Sequence, residues 1–384
     1  MKVTALGGCG AMGRATSREL AENESVDELL IADADPEAAA AFAADLKADE
    51  YTGEIATAKV DVTDGEALVA TIDDSEVVAN ALPYAFNIDV MEACLEADCH
   101  YLDLGGLYHT TREQLELDDA FDEAGLTAVL GIGASPGLTN VAAARGAQRL
   151  GSVEKIHIRT GAKGGGEGFA YSAKTILDEL TMEPVVYEDG EFRTLEPLSG
   201  RDTYEMPDPV GEVEGFHSIH SELATMPYTF EGIETVDFRV AFSPDLVNIC
   251  DVLIGLNLTS EEPVEFEGVE TSPREFLDWH LDRQPKPGAV EEWKSFRVDV
   301  HGTEDGAPAH YRYTVVVESR LDDWGLKATA VWTGVPMGVA AAAVGRGEAL
   351  ETGAKPPEEV LDPEAFIAEL RERDIAIEER RIDS

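Results

Sequence analysis

The amino-terminal stretch MKVTALGGCGAMG, residues 1–13, decides the fold class of this chain. Residues 3–6 form a short apolar run that predicts a β-strand, and residues 11–21 have the pattern of a helix. Between them, Gly8, Gly10 and Gly13 form the motif G-x-G-x-x-G. Glycines at this spacing allow a tight turn and let a diphosphate approach the backbone at the helix N-terminus. The stretch therefore predicts a Rossmann domain that binds a dinucleotide.

A carboxylate is placed where the second strand of such a domain ends. The apolar run at 29–31 predicts this strand, and Asp33 follows Gly13 by about 20 residues, the spacing at which an acid binds the adenosine ribose. A 2′-phosphate beside Asp33 would cost up to about 4 kcal/mol per pair of like charges. The sequence favours NAD over NADP, although Arg14 is a cation that can reach a phosphate.

The first third of the chain alternates strands with helices, which is typical of a parallel sheet covered on both faces. Further strands are predicted at 55–60, 76–81, 100–102 and 126–130, and further helices at 36–47, 88–97 and 113–123. The ends of these strands complete the predicted cofactor site, because such sheets bind ligands at their carboxyl edge. Asp61 either binds the adenine amino group or is a solvated loop acid. The predicted cofactor-binding residues are Gly8, Gly10, Ala11, Met12, Gly13, Asp33, Asp61, Val62, Ala81, Leu82 and Pro83.

After residues 131–137 the pattern changes to strands that alternate apolar and polar side chains, which indicates an open, mixed sheet. We predict a helix at 139–149, strands at 155–160, 235–242, 250–258, 295–302, 311–319 and 327–332, and a loop at 200–215. Helices at 338–347 and 363–373 are expected to return to the first domain. The predicted organisation is a Rossmann domain at 1–134 and 334–384 and an α+β substrate domain at 135–333.

Composition excludes several functions. The chain has 384 residues with 77 Asp and Glu against 29 Lys and Arg, a net charge of −48. Such a polyanion should bind neither nucleic acid nor anionic membranes. The acids extend along the whole chain, which favours a cytoplasm filled with salt, where this repulsion is screened. We also expect no signal peptide, membrane span, disulfide framework or metal site.

Three further stretches resemble the saccharopine dehydrogenase-like oxidoreductases, a family that includes saccharopine reductase and lysine 6-dehydrogenase. They are YLDL at 101–104, GIGASPGLTN at 131–140, and a closing stretch from TGVP at 333–336 to PPE at 356–358. The resemblance covers nearly the whole chain. It implies hydride transfer between a nicotinamide cofactor and the carbon of an amino-acid C–N bond, and a homodimer that pairs through the second domain. Saccharopine reductases have an acid in this turn where this chain has Ser135. The turn of this chain is more similar to that of lysine 6-dehydrogenase.

Oxidation of an amine requires a base, for which His or a perturbed Tyr or Asp is suitable. We predict Asp103, Tyr108 and His220 as catalytic residues, of which Tyr108 aligns with a tyrosine near the reductase site in the family. His109 and His217 remain alternatives.

Substrate binding is predicted for Tyr84, His217 and Arg239, with Lys163 and Lys174 as further candidate cations. Arg239 lies within a strand, so it is either buried or bound to a substrate carboxylate. We expect no pairing between Arg239 and Asp237, because neighbouring strand residues face opposite sides.

Two other functions are compatible with the same fold. One is the reductive coupling of an amine with an aldehyde, as in saccharopine or carboxynorspermidine formation. The other is a non-catalytic sensor or scaffold that binds NAD(H).

Overall fold

The structure is a computed structural model that describes residues 1–48, 51, 53–166, 172–281, 283–284, 288 and 290–383. Its first sheet has seven parallel strands in the order β17-β6-β5-β4-β1-β2-β3. This order confirms the doubly wound domain, with its change of direction between β1 and β4. The strands are β1 (Lys2–Leu6), β2 (Glu28–Asp33), β3 (Glu54–Lys59), β4 (Val77–Asn80), β5 (His100–Asp103), β6 (Thr127–Val129) and β17 (Gly353–Lys355).

Helices connect these strands and bury the apolar side chains of both sheet faces. The segment predicted as one helix at 113–123 is divided between two helices and a short 3₁₀ turn at Leu115–Leu117. The helices are α1 (Gly13–Glu22), α2 (Pro36–Ala48), α3 (Gly65–Ile72), α4 (Asn87–Ala97), α5 (Leu107–Gln114) and α6 (Asp118–Ala124), with a further 3₁₀ turn at Tyr84–Phe86.

The second sheet has nine strands and is mixed, as predicted, because β12 runs parallel to β7 while the other pairs are antiparallel. Its main path is β10-β11-β12-β7-β15-β16-β18, and β8 and β9 extend it beside β12. The strands are β7 (Ser152–Gly164), β8 (Val185–Glu188), β9 (Glu191–Thr194), β10 (Asp202–Glu205), β11 (Glu212–His217), β12 (Thr235–Val240), β15 (Glu292–Glu304), β16 (Ala307–Glu318) and β18 (Glu378–Arg381). The helices before and between them are α7 (Leu138–Arg149), α8 (Ala173–Thr181) and α9 (Glu222–Thr229).

Three predictions for this half are wrong. The apolar runs at 250–258 and 327–332, predicted as strands, lie in helices α10 (Pro244–Gly255) and α12 (Ala328–Gly345). Periodicity cannot separate a short apolar strand from a helix segment, and Ser243, which caps α10 by accepting a hydrogen bond from the Leu246 amide, precedes the run. The third error is the loop at 200–215, which contains β10 and β11.

The carboxyl-terminal segment belongs to both sheets. Helix α12 packs against α1, where Thr16 donates to the Gly334 carbonyl at 3.0 Å and a Cβ on Gly334 would lie 2.5 Å from the Met12 carbonyl. Strand β17 then completes the first sheet, but β18 pairs with β16. The assignment of residues 334–384 to the first domain is therefore wrong for β18. The last helices are α13 (Pro357–Val360) and α14 (Pro363–Glu372).

Helix α12 has the length and apolar composition of a membrane span. It is nevertheless 83% buried inside the protein, where it packs on α1 and on strands of both sheets. Its apolar composition is explained by this burial.

Candidate functional site

A cavity of about 1010 Å³ lies where the carboxyl edge of the first sheet faces the second sheet. The first domain contributes Ala11, Met12 and residues 81–84 to its wall, and the second contributes residues such as His220 and Phe238. A cleft at this edge is where doubly wound sheets bind their ligands.

The glycine turn has the shape that a diphosphate requires. A Cβ on Gly13 would lie 2.1 Å from the Gly7 carbonyl oxygen, and one on Gly10 would lie 3.0 Å from the same atom. A Cβ on Gly8 would meet the Ala5 carbonyl at 2.8 Å, and Ser17 donates to the Gly8 carbonyl at 2.9 Å. These contacts leave room for backbone only, so the residues present fit a dinucleotide at the start of α1.

Asp33 lies at the end of β2, next to this turn. Its carboxylate accepts a hydrogen bond from the Asp35 amide at 3.1 Å. Burial, together with a hydrogen bond to Asp33, raises the pKa of the Cys9 thiol to about 12, so Cys9 is a protonated filler of the turn. The guanidinium of Arg14 points to α2, 4.4 Å from the centre of the Phe42 ring.

The other predicted cofactor residues divide into two groups. Ala81, Leu82 and Pro83 line the cavity directly after β4. The Asp61 carboxylate, in contrast, accepts hydrogen bonds from the amide and hydroxyl of Thr63 in an exposed turn, and these bonds lower its pKa. Val62 packs against the core on that side of the sheet.

His220 lines the cavity and is of the residue type best suited to acid–base chemistry near neutral pH. Its Nδ1 pairs with the buried carboxylate of Glu222, and its ring stacks on Phe238 at 3.9 Å between centroids. Burial lowers the pKa of His220, but the Glu222 carboxylate outweighs burial, so the pKa lies above its usual value. The pairing leaves Nε2 as the ring nitrogen that can serve a ligand in the cavity.

Glu222 is the functional residue that sequence reasoning missed. It accepts hydrogen bonds from Ser135 at 2.6 Å and from Thr139 at 2.7 Å, in addition to pairing with His220. Burial raises the pKa of Glu222, but His220 and the two hydroxyls lower it by more than burial raises it. The pKa of Glu222 therefore lies below its usual value. The available signal was the spacing His220-Ser221-Glu222. In the reductases, the turn itself carries an acid at the position of Ser135. In this chain, Ser135 instead donates a hydrogen bond to the carboxylate of Glu222 on α9.

Asp103, which we predict to be catalytic, is not among the described residues that line the cavity. Its carboxylate is 1% exposed and lies beneath the cavity, where it fixes the loops that follow β5 and β6. Burial raises its pKa. Asp103 is therefore a positioning residue. Its hydrogen-bond donors are the side chains of Asn87, Tyr101 and Gln114 and the amides of Gly105 and Gly131.

Tyr108, also predicted to be catalytic, is not among the described residues of the cavity wall. It belongs to an aromatic cluster on the outer surface with His109, 5.3 Å away, and Phe192, 6.2 Å away. Burial raises the pKa of Tyr108, so it is protonated. His109 is exposed beside it.

His217 and Arg239 also face away from the cavity. The two residues are paired across β11 and β12, and the Arg239 guanidinium lies 3.3 Å from His217 Nε2. Phe238 lines the cavity, so the alternation along β12 turns Arg239 to the other face. The same alternation places Asp237 beside Arg239, with 3.7 Å between Oδ2 and Nε, and the prediction that they do not pair is wrong. Residues two apart share a face.

Among the described residues, the cations of the cavity wall are Arg14 beside the glycine turn and Lys174, Lys294 and Lys327 on the second domain. Lys174 pairs with Asp178 at 3.0 Å, and Asp178 also accepts the hydroxyl of Tyr84 at 2.7 Å. Lys327 donates to the Gly165 carbonyl at 2.9 Å. The other predicted lysine, Lys163, is exposed near the end of β7.

Within the described part of the chain, no group of three or more His, Cys, Asp or Glu side chains could hold a metal ion. The arrangement of glycine turn, ribose carboxylate and buried histidine is that of a nicotinamide-dependent oxidoreductase with a separate substrate domain. Comparison with known families agrees. The model of the saccharopine dehydrogenase NADP binding domain matches residues 3–129, and that of the saccharopine dehydrogenase C-terminal domain matches residues 133–375.

The chain therefore belongs to the saccharopine dehydrogenase family, and it is an NAD(P)-dependent dehydrogenase acting on CH–NH donors. It is 26% identical over 391 residues to the carboxyaminopropylagmatine dehydrogenase of Synechocystis, covering 95% of this chain and 94% of that protein. It is 26% identical over 335 residues to the carboxynorspermidine synthase of Vibrio cholerae, covering 80% and 79%.

Two solved structures share the fold. Saccharopine dehydrogenase (L-Glu forming) of Saccharomyces cerevisiae superposes with a TM-score of 0.74 at 16% identity, covering 100% of both chains. The homospermidine synthase of Legionella pneumophila, solved with NAD, gives a TM-score of 0.67 at 15% identity, covering 100% of this chain and 91% of that chain.

Proposed function

We propose that this chain interconverts an imine and a secondary amine at the C–N bond of an amino acid or a carboxylate-bearing polyamine. The observation that carries this proposal is His220, which pairs with the buried carboxylate of Glu222 and lines the same cavity as the start of α1 and residues 81–84. The curated relatives, whose names denote carboxylated polyamines, support the substrate class.

The nicotinamide cofactor, when bound, supplies or accepts a hydride at the carbon of the C–N bond. His220 handles the proton at nitrogen. In the reductive direction its imidazolium donates a proton from Nε2, and in the oxidative direction the neutral ring accepts one. Glu222 holds the pKa of His220 above its usual value, because its carboxylate stabilises the charged, proton-donating form of the ring. This favours the reductive coupling of an amine with an aldehyde.

The substrate carboxylate binds to lysines of the cavity wall, and not to Arg239, the residue predicted for this role from the sequence. Lys294 and Lys327 line the cavity, and the nearest carboxylate to Lys294, that of Glu292, is 3.9 Å away. Glu292 is already engaged, because it accepts hydrogen bonds from the amide and hydroxyl of Thr329 at 2.7 Å. Glu179 lies in the same wall and favours the charged form of His220. A ligand with both an ammonium and a carboxylate group fits this wall.

We propose NAD as the cofactor. Asp33 would accept hydrogen bonds from ribose hydroxyls, whereas a 2′-phosphate would meet its negative charge. The cation that follows the glycine turn, Arg14, stacks on Phe42. NADH should bind more tightly than NADPH in a fluorescence titration at about 1 M KCl, where screening limits the difference.

The proposed function is tested by turnover. NADH formation is measured with lysine, ornithine and saccharopine, and NADH consumption is measured with a diamine or agmatine plus a carboxylate-bearing aldehyde. We expect His220→Asn to reduce kcat by a factor of about 10²–10⁴. His109→Asn, which changes an exposed histidine outside the cavity, is the matched control. Tight NADH binding without turnover of any amine would favour the sensor instead.

We propose that the protein works in a cytoplasm of high salt concentration. The net charge of −48 supports this proposal, since the Debye length of about 3 Å at 1 M salt screens the repulsion. The melting temperature should then rise with KCl.

A further inference from the structure

Positive charge is concentrated on the outer face of the second sheet, the face that points away from the cavity. Phe238 of β12 lines the cavity, so Arg239, its neighbour along the strand, points to the outer face. Residues directly opposite one another on paired strands share a face, and the register therefore places further basic side chains there. We refer to these side chains as the cationic face: Lys155, Arg159, Arg239, Arg297, Arg312 and Arg380. Because the chain has 77 Asp and Glu against 29 Lys and Arg, its composition does not lead one to expect such a concentration of bases.

The register of the sheet sets cations against cations. Arg297 lies directly opposite Arg159, and Arg159 lies directly opposite Arg239. Arg312 lies directly opposite Arg380 at the edge of the sheet. Like charges in this position destabilise a sheet. A ligand with negative charge would relieve this repulsion.

Two carboxylates are shared among the arginines in the middle of the face. Asp237 pairs with Arg159 at 2.8 Å. Asp299 lies 2.9 Å from Arg297 and 2.6 Å from Arg312. The first of these contacts does not satisfy the buried Nε of Arg297, which forms no hydrogen bond within the described part of the chain. The arginines therefore offer more hydrogen-bond donors than these two carboxylates accept.

The two ends of the cationic face differ in access. At one end, the ring of Tyr204 is buried against the sheet, and Asp202 pairs with an arginine of the face at 2.8 Å. At the other end, Lys155 and Arg380 are exposed, and Glu378, two residues before Arg380, is the acid of β18 on this face. This second end is open to a ligand from solvent.

His301 lies at the open end and senses its positive charge. Its ring centroid is 3.9 Å from that of His310 and 5.6 Å from that of His157, and Lys155 lies directly opposite it across β7 and β15. Burial, together with these three bases, lowers the pKa of His301 to about 4, although Asp299 acts in the other direction. The ring is therefore neutral near pH 7 and can donate a hydrogen bond from nitrogen.

We propose that the open end of the cationic face binds a phosphate group, carried either by inorganic phosphate or by a phosphorylated metabolite. Arg312 and Arg380 lie on neighbouring strands about 5 Å apart, a spacing at which two guanidinium groups can bind the oxygens of one phosphate. Lys155 adds a third positive charge, and His301 adds a neutral N–H donor. Arginine and lysine are the side chains that bind phosphate in proteins.

Charge and the number of oxygens favour phosphate over a carboxylate group. The chain supplies carboxylates in excess elsewhere, yet Lys155, His301 and His310 form a row of directly opposed bases across three strands at this end. A phosphate group carries up to two charges and at least three acceptor oxygens, so one group can accept hydrogen bonds from several strands. A carboxylate has one charge and two oxygens and would leave donors of this row unpaired.

The proposed phosphate site is separate from the cavity. Helix α11 spans Pro273–Leu281 and follows a hairpin of β13 (Val264–Phe266) and β14 (Val269–Thr271). This helix reaches the cavity at Leu281, on the side of the sheet that Phe238 faces. A phosphate on the outer face is therefore behind β12, outside both the cofactor site and the substrate site of the proposed function.

The test is a calorimetric titration of the full chain with inorganic phosphate at about 0.1 M KCl, with NADH present to occupy the glycine turn. We expect saturable binding of one phosphate per chain. Lys155→Gln/Arg312→Gln should weaken binding about 10-fold or more, because two charged donors are lost. Lys47→Gln/Arg193→Gln removes the same two charges at exposed positions outside the face and is the matched control. Absence of saturable binding, or equal weakening in both double variants, overturns the proposal.

The class of the ligand is tested by parallel titrations. Glycerol phosphate that binds more tightly than inorganic phosphate would support a phosphorylated metabolite as the source, and the reverse order would support free phosphate. Malonate, a dicarboxylate, should bind more weakly than either. Malonate that binds as tightly as phosphate would overturn the assignment to a phosphate group.

An NMR titration locates the site. Sulfate has the shape of phosphate and keeps two negative charges at acidic pH, and His301→Asn assigns the ring signal. The pKa of His301 should rise from about 4 when sulfate is bound, because the anion stabilises the imidazolium. An unchanged pKa would contradict binding beside His301. None of these measurements requires turnover, so they are independent of the proposed function.

Discussion

Replacement of Glu222 by Gln should lower the pKa of His220. The carboxylate pairs with Nδ1 of the ring in a site where both groups are buried. Two unit charges about 4 Å apart at an effective dielectric constant of 20 attract by about 4 kcal/mol, which corresponds to about three pKa units. Burial, which lowers the pKa, is then opposed by Glu179, whose effect on His220 is weaker than that of burial. We expect the pKa of His220 to fall from above its usual value of 6.5 to below it.

The assay is an NMR titration of the histidine side chains, in which His220→Asn assigns the signal. Glu358→Gln is the matched control. Glu358 is another buried carboxylate, held by Asn140 and Thr225 at 2.7 Å, and burial raises its pKa to about 7. A pKa of His220 at or below 6.5 in the wild type would refute the reasoning. So would an equal shift in Glu358→Gln.

The same substitution has a pH signature in stability. The raised pKa of His220 stabilises the fold below pH 6.5, and this contribution is lost as the pH rises through the folded pKa. The lowered pKa of Glu222 stabilises the fold above pH 4.5 and is lost as the pH falls through its folded value. The difference in unfolding free energy between the wild type and Glu222→Gln should therefore be largest between pH 4.5 and pH 6.5, at about 3–5 kcal/mol. Chemical denaturation at a series of pH values measures this difference.

Four further outcomes follow from the fold and the site. Gly13→Ala should abolish tight NADH binding in a fluorescence titration, because its Cβ would lie 2.1 Å from the Gly7 carbonyl; unchanged affinity would contradict the tight turn. Asp33→Asn should narrow the preference for NADH over NADPH, and an unchanged ratio would exclude ribose binding by Asp33. Asp103→Asn should cost about 3 kcal/mol of unfolding free energy by loss of buried hydrogen bonds, and a drop in kcat without loss of stability would restore a catalytic role. The melting temperature of the wild type should rise between about 0.1 M and about 1 M KCl, and a fall would contradict adaptation to salt.

The nucleotide-binding half was predictable because local signals and the global fold agree there. The turn at Gly8–Gly13 requires glycine for steric reasons, and β1, β2 and β4 are short runs of mostly apolar, buried residues. The run at 250–258 was misassigned because apolar content alone suggested a strand. It lies in a helix with an exposed apolar side, a combination that predictions based on burial do not anticipate.

Prediction of the site failed where side-chain direction decides the role. Asp103 ends a strand at the expected edge, but its side chain turns inward to loop amides. Arg239 lies on the face of β12 opposite Phe238. Glu222 is a neighbour of His220 in the sequence, but it reaches Ser135 and Thr139 only after α9 and α7 come together in the fold. Such long-range contacts leave no periodic trace in the sequence.

Strand β17 has a consequence for synthesis of the chain. It adds to the edge of β6 after more than half of the sequence has intervened. During synthesis on the ribosome, the nucleotide-binding sheet therefore emerges with one edge of β6 unpaired, the edge that β17 later covers. An open edge of this kind can pair with strands of other chains. Folding of the amino-terminal domain is completed only when the end of the chain arrives, so a prematurely terminated product exposes an adhesive edge.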